Sequence, residues 1–149
     1  MTEPLAQLRA TLDADGMAGA LAFLNARVPH RFTAIFRLEE PNLRLIHFHD
    51  STGNPPLEVI RLIPVGRSLC KFALRNGSWV TEDAKADPES SSAPMSEIMV
   101  SYVGLPLQGP ASQLIGTFCH FDTESKPLPD GEFEFLEQAV KLLPGYLAA

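Results

Sequence analysis

Cysteine is scarce in this sequence: only Cys70 and Cys119 occur, and they do not form a C-x-x-C pair. Two cysteines do not make a disulfide-stabilised scaffold, so the composition indicates a reducing compartment. The amino terminus lacks the basic stretch and apolar core of a signal peptide, and no apolar run approaches the roughly 18 residues of a membrane span. We therefore expect a cytoplasmic protein with no membrane partner.

Basic residues are also few. Lys and Arg number 12 against 18 Asp and Glu, which gives a formal net charge of −6. Because phosphate binding needs a basic surface and no Lys/Arg cluster occurs, nucleic acid is excluded as a partner. The sequence has no G-x-S-x-G elbow, P-loop or G-x-G-x-x-G loop, which disfavours a serine hydrolase and a glycine-rich phosphate cradle.

The 149 residues fit a single domain spanning residues 1–149. Apolar spacings of three and four predict a helix over residues 4–28, interrupted near residues 13–16, and a last helix from Asp130 to about Leu143, before Pro144. Strand-like runs occupy residues 33–38, 43–50, 59–65, 79–81, 102–107 and 114–122.

A short helix lies between Ser68 as its cap and Gly77 as its end. Residues 82–99 form a long loop or broken helix, a feature that is commonly a functional lid. This order of elements predicts an α+β fold with a central antiparallel sheet. We expect the terminal helices on one face, with the short helix and the lid over the other.

Two neighbouring strands, residues 102–107 and 114–122, are the most informative stretch. With Ser68-Leu69-Cys70-Lys71-Phe72 and Asp83-x-x-x-Asp87 upstream, in that order and at those distances, the chain resembles the GAF family of small-molecule-sensing domains. The resemblance covers roughly residues 20–147. It implies a GAF-like fold with a ligand pocket on the second face of the sheet and a sensory or regulatory role in signalling. It leaves the ligand and any cofactor unspecified.

The candidate ligand site combines two side chains of one strand with residues of the covering segment. Thr117 and Cys119 alternate along a strand and therefore point to the same face, which the resemblance makes the ligand face. Aromatic walls and carboxylates at the start of the lid complete the set. Its members are Cys70, Phe72, Asp83, Asp87, Tyr102, Thr117 and Cys119.

Three members of this set have a second interpretation. Asp83 and Asp87 serve equally well as caps of local turns, and Cys70 is either a reactive thiol in the first turn of a helix or a small core residue. If the two carboxylates contact the ligand, they favour hydrogen-bond donors or positive charge over a phosphate.

His47 and His49 alternate on one strand, about 6 to 7 Å apart on the same face. No third ligand is spaced to complete a zinc site, which needs three or four. We therefore predict no metal site, and we place both imidazoles on the solvent side, opposite Ile46 and Phe48.

An enzyme is the alternative to a binding domain. Ser96-Glu97-Ile98 followed by Val100 resembles the S-E-I-V-V-P segment of the free methionine-R-sulfoxide reductase branch of the same family. That branch carries a cysteine shortly before the segment, where this chain has Ser90-Ser91-Ser92-Ala93-Pro94. Its substrate-binding aspartates fall on Cys119 and Phe121. Such a reductase would have to use Cys70 and Cys119.

The last helix predicts self-association because it carries two apolar lines. Only one line can face the sheet, so we expect a homodimer through the terminal helices. The GAF resemblance implies in addition a signalling partner protein. The two lines are Phe133, Leu136, Val140, Leu143 and Leu147, and Phe135, Ala139, Leu142 and Tyr146.

Overall fold

The structure is a computed structural model that describes residues 2–147. A six-stranded antiparallel sheet runs in the order β3-β2-β1-β6-β5-β4. Its strands are β1 Phe32–Glu39, β2 Asn42–Asp50, β3 Leu62–Pro64, β4 Trp79–Thr81, β5 Ser101–Gln108 and β6 Leu114–Asp122. The helices are α1 Glu3–Asn25, α2 Cys70–Asn76 and α3 Glu132–Ala139. The predicted α+β fold with a central antiparallel sheet is confirmed.

Alternation along β6 divides the buried residues between two cores. Phe118 belongs to the core that α1 and α3 close, where it packs with Leu8 and Leu136. Cys119 and Phe121 belong to the core beneath α2 and residues 82–99. The terminal helices therefore lie on one face and the short helix with its following segment on the other, as the sequence predicts.

Helix α1 bends at Gly16, whose φ of 71° and ψ of −162° are not helical. A backbone with positive φ favours glycine because glycine has no Cβ. The bend joins two amphipathic pieces, and the interruption predicted at residues 13–16 is confirmed. The residues buried from the two pieces are Leu5, Leu8, Leu12, Met17, Ala20, Leu21, Leu24 and Asn25.

The hairpin of β1 and β2 contains a bulge that changes one prediction. Ile35 pairs with His47 but Phe36 pairs with Leu45, so Ile46 is an extra residue in β2. Because a bulge interrupts the alternation of faces, Ile46 packs in the helix-side core, whereas Phe48 packs in the opposite one. The expectation that both side chains share a face is wrong. The two histidines do share a face, but it is the half-buried helix side.

Helix α2 has the predicted ends. The Lys71 backbone N–H donates to Ser68 Oγ at 3.1 Å, and Gly77 follows the helix in a left-handed conformation with φ 90°. Helix α3 is shorter than predicted and ends at Ala139. The ring of Pro144 is incompatible with the helical carbonyl four residues earlier, at Val140, and a 3-10 helix follows over Leu143–Tyr146.

The run predicted as one strand over residues 59–65 is mostly not a strand. Only Leu62–Pro64 pairs with β2, and a 3-10 helix occupies Glu58–Ile60.

Residues 82–99 contain turns and a 3-10 helix at Pro94–Glu97. Within residues 2–147, no helix has both the length and the apolar character to cross a membrane.

Candidate functional site

Five of the seven predicted site residues lie in the core beneath α2. Cys70, at the start of α2, is 1% exposed, and Cys119 of β6 is 0% exposed. Tyr102 Oη and Thr117 Oγ1 each donate a hydrogen bond to Cys70 Sγ at 3.2 Å. Phe72 is also buried in this core. The sequence therefore predicts correctly that these side chains come together, but they are closely packed.

A glycine lets Tyr102 reach the sulfur. Tyr102 and Gly104 lie on the same face of β5, two residues apart, and the phenol ring lies over the Cα of Gly104. A Cβ at position 104 would overlap the ring and its hydroxyl. Gly104 pairs with Cys119 across the β5–β6 ladder. The Tyr102 ring thus lies beside the cross-strand pair of Gly104 and Cys119.

The two thiols have different acidities. Hydrogen bonding with the Cys119 thiol is the main cause that lowers the pKa of Cys70; burial opposes it, and the hydroxyls of Thr117 and Tyr102 lower the pKa further. Burial, followed by the hydrogen bond with Cys70, raises the pKa of Cys119 well above its usual value. Of the two sulfurs, Cys70 is therefore the one that carries a negative charge more readily.

Phe72 faces a different set of neighbours. Its ring centroid lies 4.9 Å from that of Trp79. The Lys71 ammonium and the Arg75 guanidinium each lie 5.2 Å from the Phe72 centroid. The ring contact with Trp79 holds α2 against β4, whereas the two cations belong to α2 itself. Phe72 therefore has a structural role in addition to its place near the thiols.

Asp83 and Asp87 cap turns in the segment that follows β4. Asp83 Oδ1 accepts the backbone N–H groups of Lys85 and Ala86 at 3.1 and 3.3 Å. Asp87 Oδ1 accepts that of Glu89 at 3.0 Å. The capping interpretation thus has direct contacts, whereas ligand contact by these carboxylates stays a prediction.

The segment over residues 82–99 is a fixed cover. The Ala84 N–H donates to the carbonyl of Val100, and Ser90 Oγ donates to the carbonyl of Ala84 at 3.0 Å. Buried side chains along the segment fill the core beneath α2: Ala84, Ala93, Met95 and Met99.

An open cavity of about 270 Å³ lies on this same face of the sheet, next to the thiol cluster. The rings of Phe32, Phe48 and Phe121 come from three adjacent strands and line it. Their centroids are close, at 4.9 Å between Phe32 and Phe121 and 5.7 Å between Phe32 and Phe48. Ile60 and Ile98 close it from the side of the covering segments. An apolar cavity of this kind is what small-molecule sites use.

Arg31 and Asp50 supply the charged groups of this cavity. Arg31 Nε and Nη2 donate to the two carboxylate oxygens of Asp50 at 2.8 and 2.9 Å. Burial acts to raise the pKa of Asp50, but the bonds from Arg31 and Thr52 outweigh it and lower the pKa to about 2. The Arg31 guanidinium also lies 4.7 Å from the centroid of Phe32.

Sequence reasoning did not select this cavity. Its aromatic residues lie at strand ends, where they look like ordinary core residues, and the bulge at Ile46 changes the faces along β2. The one available signal was Asp50, because an acidic residue that ends an apolar strand and becomes buried needs a partner.

A second buried polar cluster lies on the helix side. His30 and His120 are 2% and 0% exposed, and their ring centroids are 6.1 Å apart. Thr33 Oγ1 is 2.7 Å from His120 Nδ1. Within the described chain, both ring nitrogens of His30 and Nε2 of His120 have no hydrogen-bond partner. Burial is the main cause that lowers the pKa of His30 to about 4 and that of His120 to about 3.

The described part of the chain offers no set of side chains that could serve as metal ligands. Residues 2–147 contain no group of three or more His, Cys, Asp and Glu side chains arranged to hold an ion.

A larger cavity of about 530 Å³ lies at the helix side, where Ile46, Leu107 and Lys141 are among its lining residues. None of the seven predicted site residues lines it.

Comparison with solved structures identifies the fold. The GAF domain of an Acinetobacter phosphoenolpyruvate-protein phosphotransferase superposes with a TM-score of 0.77 at 14% identity, over 97% of this chain and 90% of that one. The corresponding Coxiella burnetii domain gives 0.70 at 16% identity, over 97% and 90%. This chain has the GAF fold.

An enzyme with the same fold is equally similar. Free methionine-R-sulfoxide reductase from Neisseria meningitidis, solved in complex with its substrate, gives a TM-score of 0.74 at 20% identity, over 97% of this chain and 86% of that one. No protein-family model matches the sequence, and no curated protein sequence matches it significantly. At such identities the GAF fold is common to binding domains and to the reductase, so activity has to be argued from the site.

Proposed function

We propose that this GAF domain binds a small molecule in the cavity lined by Phe32, Phe48 and Phe121, and that it acts as a sensory or regulatory module in signalling. The cavity carries the proposal. It lies on the face that the GAF resemblance makes the ligand face. None of the seven predicted site residues lines it, but its wall residue Phe121 is two residues from Cys119 on β6. The thiol cluster itself is closely packed, so the ligand meets the aromatic rings first.

The ligand class follows from the lining. Three aromatic rings favour a planar apolar group, which gains by stacking as well as by removal from water. The ion pair of Arg31 and Asp50 presents both a donor and an acceptor without a net charge. A small neutral heterocycle with an N–H donor therefore suits the site better than a phosphate, whose charge would need an unpaired cation.

Indole is a suitable probe because it is planar, small and has one N–H donor. We expect saturation-transfer NMR to detect its binding, and we expect Phe48→Ala to weaken the affinity by about tenfold, as for one lost aromatic contact. Ile46→Ala is the matched control because Ile46 lies in the same strand and lines the larger helix-side cavity.

The two variants distinguish the outcomes. Weaker binding only in Phe48→Ala supports the aromatic cavity. Weaker binding only in Ile46→Ala would move the ligand site to the other face of the sheet, and no binding by indole or by a panel of similar heterocycles would contradict the proposal. Native mass spectrometry of freshly purified protein adds a direct search for a ligand that copurifies.

Free methionine-R-sulfoxide reduction is the second candidate. Two buried thiols in one core favour it, since reduction of a sulfoxide by a thiol ends in a disulfide. Phe121 and Cys119 count against it, because both lie where that branch carries substrate-binding carboxylates. We rank it below ligand binding.

A further inference from the structure

Cys70 and Cys119 form a buried pair that ligand binding in the aromatic cavity does not use. Both are free thiols. Cys70 comes from the start of α2, and Cys119 comes from the middle of β6. Two thiols so far apart in sequence come into one core only through the fold, so their proximity is a specific product of the tertiary structure.

Two hydrogen bonds position the Cys70 sulfur close to Cys119. Thr117 and Cys119 point to the same face of β6, and Thr117 Oγ1 is 3.2 Å from Cys70 Sγ. Tyr102 Oη is also 3.2 Å from that sulfur, and its ring lies over Gly104, the residue paired with Cys119. The two partners of Cys70 thus lie beside Cys119, and both cysteines belong to the core beneath α2.

We propose that Cys70 and Cys119 are a two-electron redox site, which a low-molecular-weight disulfide such as oxidised glutathione converts to an intramolecular disulfide. The Cys70 thiolate attacks the glutathione disulfide, forms a mixed disulfide and releases one glutathione thiolate, which takes up the proton lost by Cys70. The Cys119 sulfur then loses its proton, attacks Cys70 Sγ and releases the second glutathione. One disulfide is reduced and one is formed, so electrons and protons balance.

Proximity favours the oxidised product at equilibrium. Closing the disulfide costs less chain entropy in the folded protein than in the unfolded chain, since the fold already holds both cysteines in one core.

Access to the sulfurs affects the rate but not the equilibrium. Phe121, a wall of the aromatic cavity, lies two residues beyond Cys119 on the same face of β6, which corresponds to about 6 to 7 Å. The covering segment over residues 82–99 separates the thiols from solvent on the other side. We therefore test the equilibrium, approached from both the reduced and the oxidised protein.

The experiment equilibrates the full chain in a glutathione redox buffer, once folded and once unfolded in urea. Acid quenching, alkylation and peptide mass spectrometry then give the ratio of Cys70–Cys119 disulfide to dithiol. We expect this ratio to be about tenfold or more higher in the folded protein, because proximity replaces a flexible loop. Cys70→Ser and Cys119→Ser are the controls and should yield only mixed glutathione disulfides.

Two results would overturn the proposal. One is an equal or lower ratio in the folded protein, which would mean that the fold resists the bond. The other is a product in which each cysteine carries its own glutathione. Neither result bears on indole binding to the reduced protein, so failure here is distinguishable from failure of the proposed ligand site.

Discussion

The phenol ring of Tyr102 lies over Gly104, and this contact positions its hydroxyl 3.2 Å from Cys70 Sγ. The side chain runs along its own strand instead of standing upright, which only a residue without a Cβ at position 104 permits. Gly104 is therefore part of the thiol site although it has no side chain, and its role can be tested by adding a single methyl group.

Gly104→Ala should destabilise the protein. The added Cβ would overlap the Tyr102 ring in a closely packed core, and overpacking of this kind costs about 1–3 kcal/mol. Urea unfolding measures the change in the free energy of unfolding. Gly66→Ala is the matched control, because a Cβ there meets nothing within 4 Å. Equal stability of the two variants would show that Tyr102 can move at no cost.

Tyr102→Phe should raise the pKa of Cys70. The substitution keeps the ring but removes one of the donors to the sulfur, and hydrogen bonds to the charged form lower a pKa. Ultraviolet absorbance of the thiolate across a pH titration gives the value. Tyr146→Phe is the control, since the Tyr146 hydroxyl bonds to Asp13 at the opposite face. A pKa that is unchanged in Tyr102→Phe would assign the acidity of Cys70 to Cys119 and Thr117 alone.

The fold is predictable from the sequence where local chemistry decides the structure. Gly16 and Gly77 mark a bend and a helix end because both require positive φ. Apolar alternation along β6 separates the two cores. The bulge at Ile46 is different, because its extra residue follows from the pairing with β1 and has no signature within β2 itself.

The proposed ligand cavity was missed in the sequence for a related reason. Cys119 and Thr117 share a face by simple alternation, and the GAF resemblance adds Cys70 and Tyr102. The cavity instead lies where three strands end. Each of its aromatic residues looks like an ordinary core residue when its own strand is considered alone. Its position depends on how the segments before β3 and before β5 pack, which single-strand periodicity does not encode.

Stability should decrease as the pH falls from about 7 towards 4. His30 and His120 have usual pKa values of 6.5 that burial lowers to about 4 and about 3 in the folded protein. Below pH 6.5 the unfolded chain therefore binds protons that the folded chain does not, which favours unfolding. The slope is at most about 1.4 kcal/mol per pH unit for each histidine.

The pH window separates this effect from that of Asp50. The Asp50 contribution is lost only as the pH falls below about 4 and towards its folded pKa of about 2. Urea unfolding between pH 6.5 and 5 therefore reports mainly on the histidines. His30→Phe should reduce the slope, since it removes one of the histidines whose pKa burial lowers; His120 and His47 remain. An unchanged slope in that variant would assign the acid sensitivity to other groups.

A homodimer through the terminal helices stays a prediction. The second apolar line of the last helix is partly covered within the chain: the Arg27 guanidinium lies 3.8 Å from the centroid of Phe135, and Ala139 is buried. Leu142 remains half-buried. We expect sedimentation at about tens of micromolar to show a dimer and Leu142→Lys to dissociate it, whereas Val80→Lys at the exposed edge of the sheet should not. A monomeric parent protein would contradict the prediction.

We expect no turnover of free methionine-R-sulfoxide with a thioredoxin recycling system. The amino group of such a substrate needs an acidic partner, but Cys119 and Phe121 are buried side chains without charge. The cavity carboxylate, Asp50, is neutralised by Arg31, so it offers a cationic amino group no unpaired negative charge. The assay should include Cys70→Ser and Cys119→Ser, because a trace of contaminating reductase would be unaffected by either change. Turnover that disappears in one of these variants would make the chain an enzyme and reverse the order of the two candidate functions.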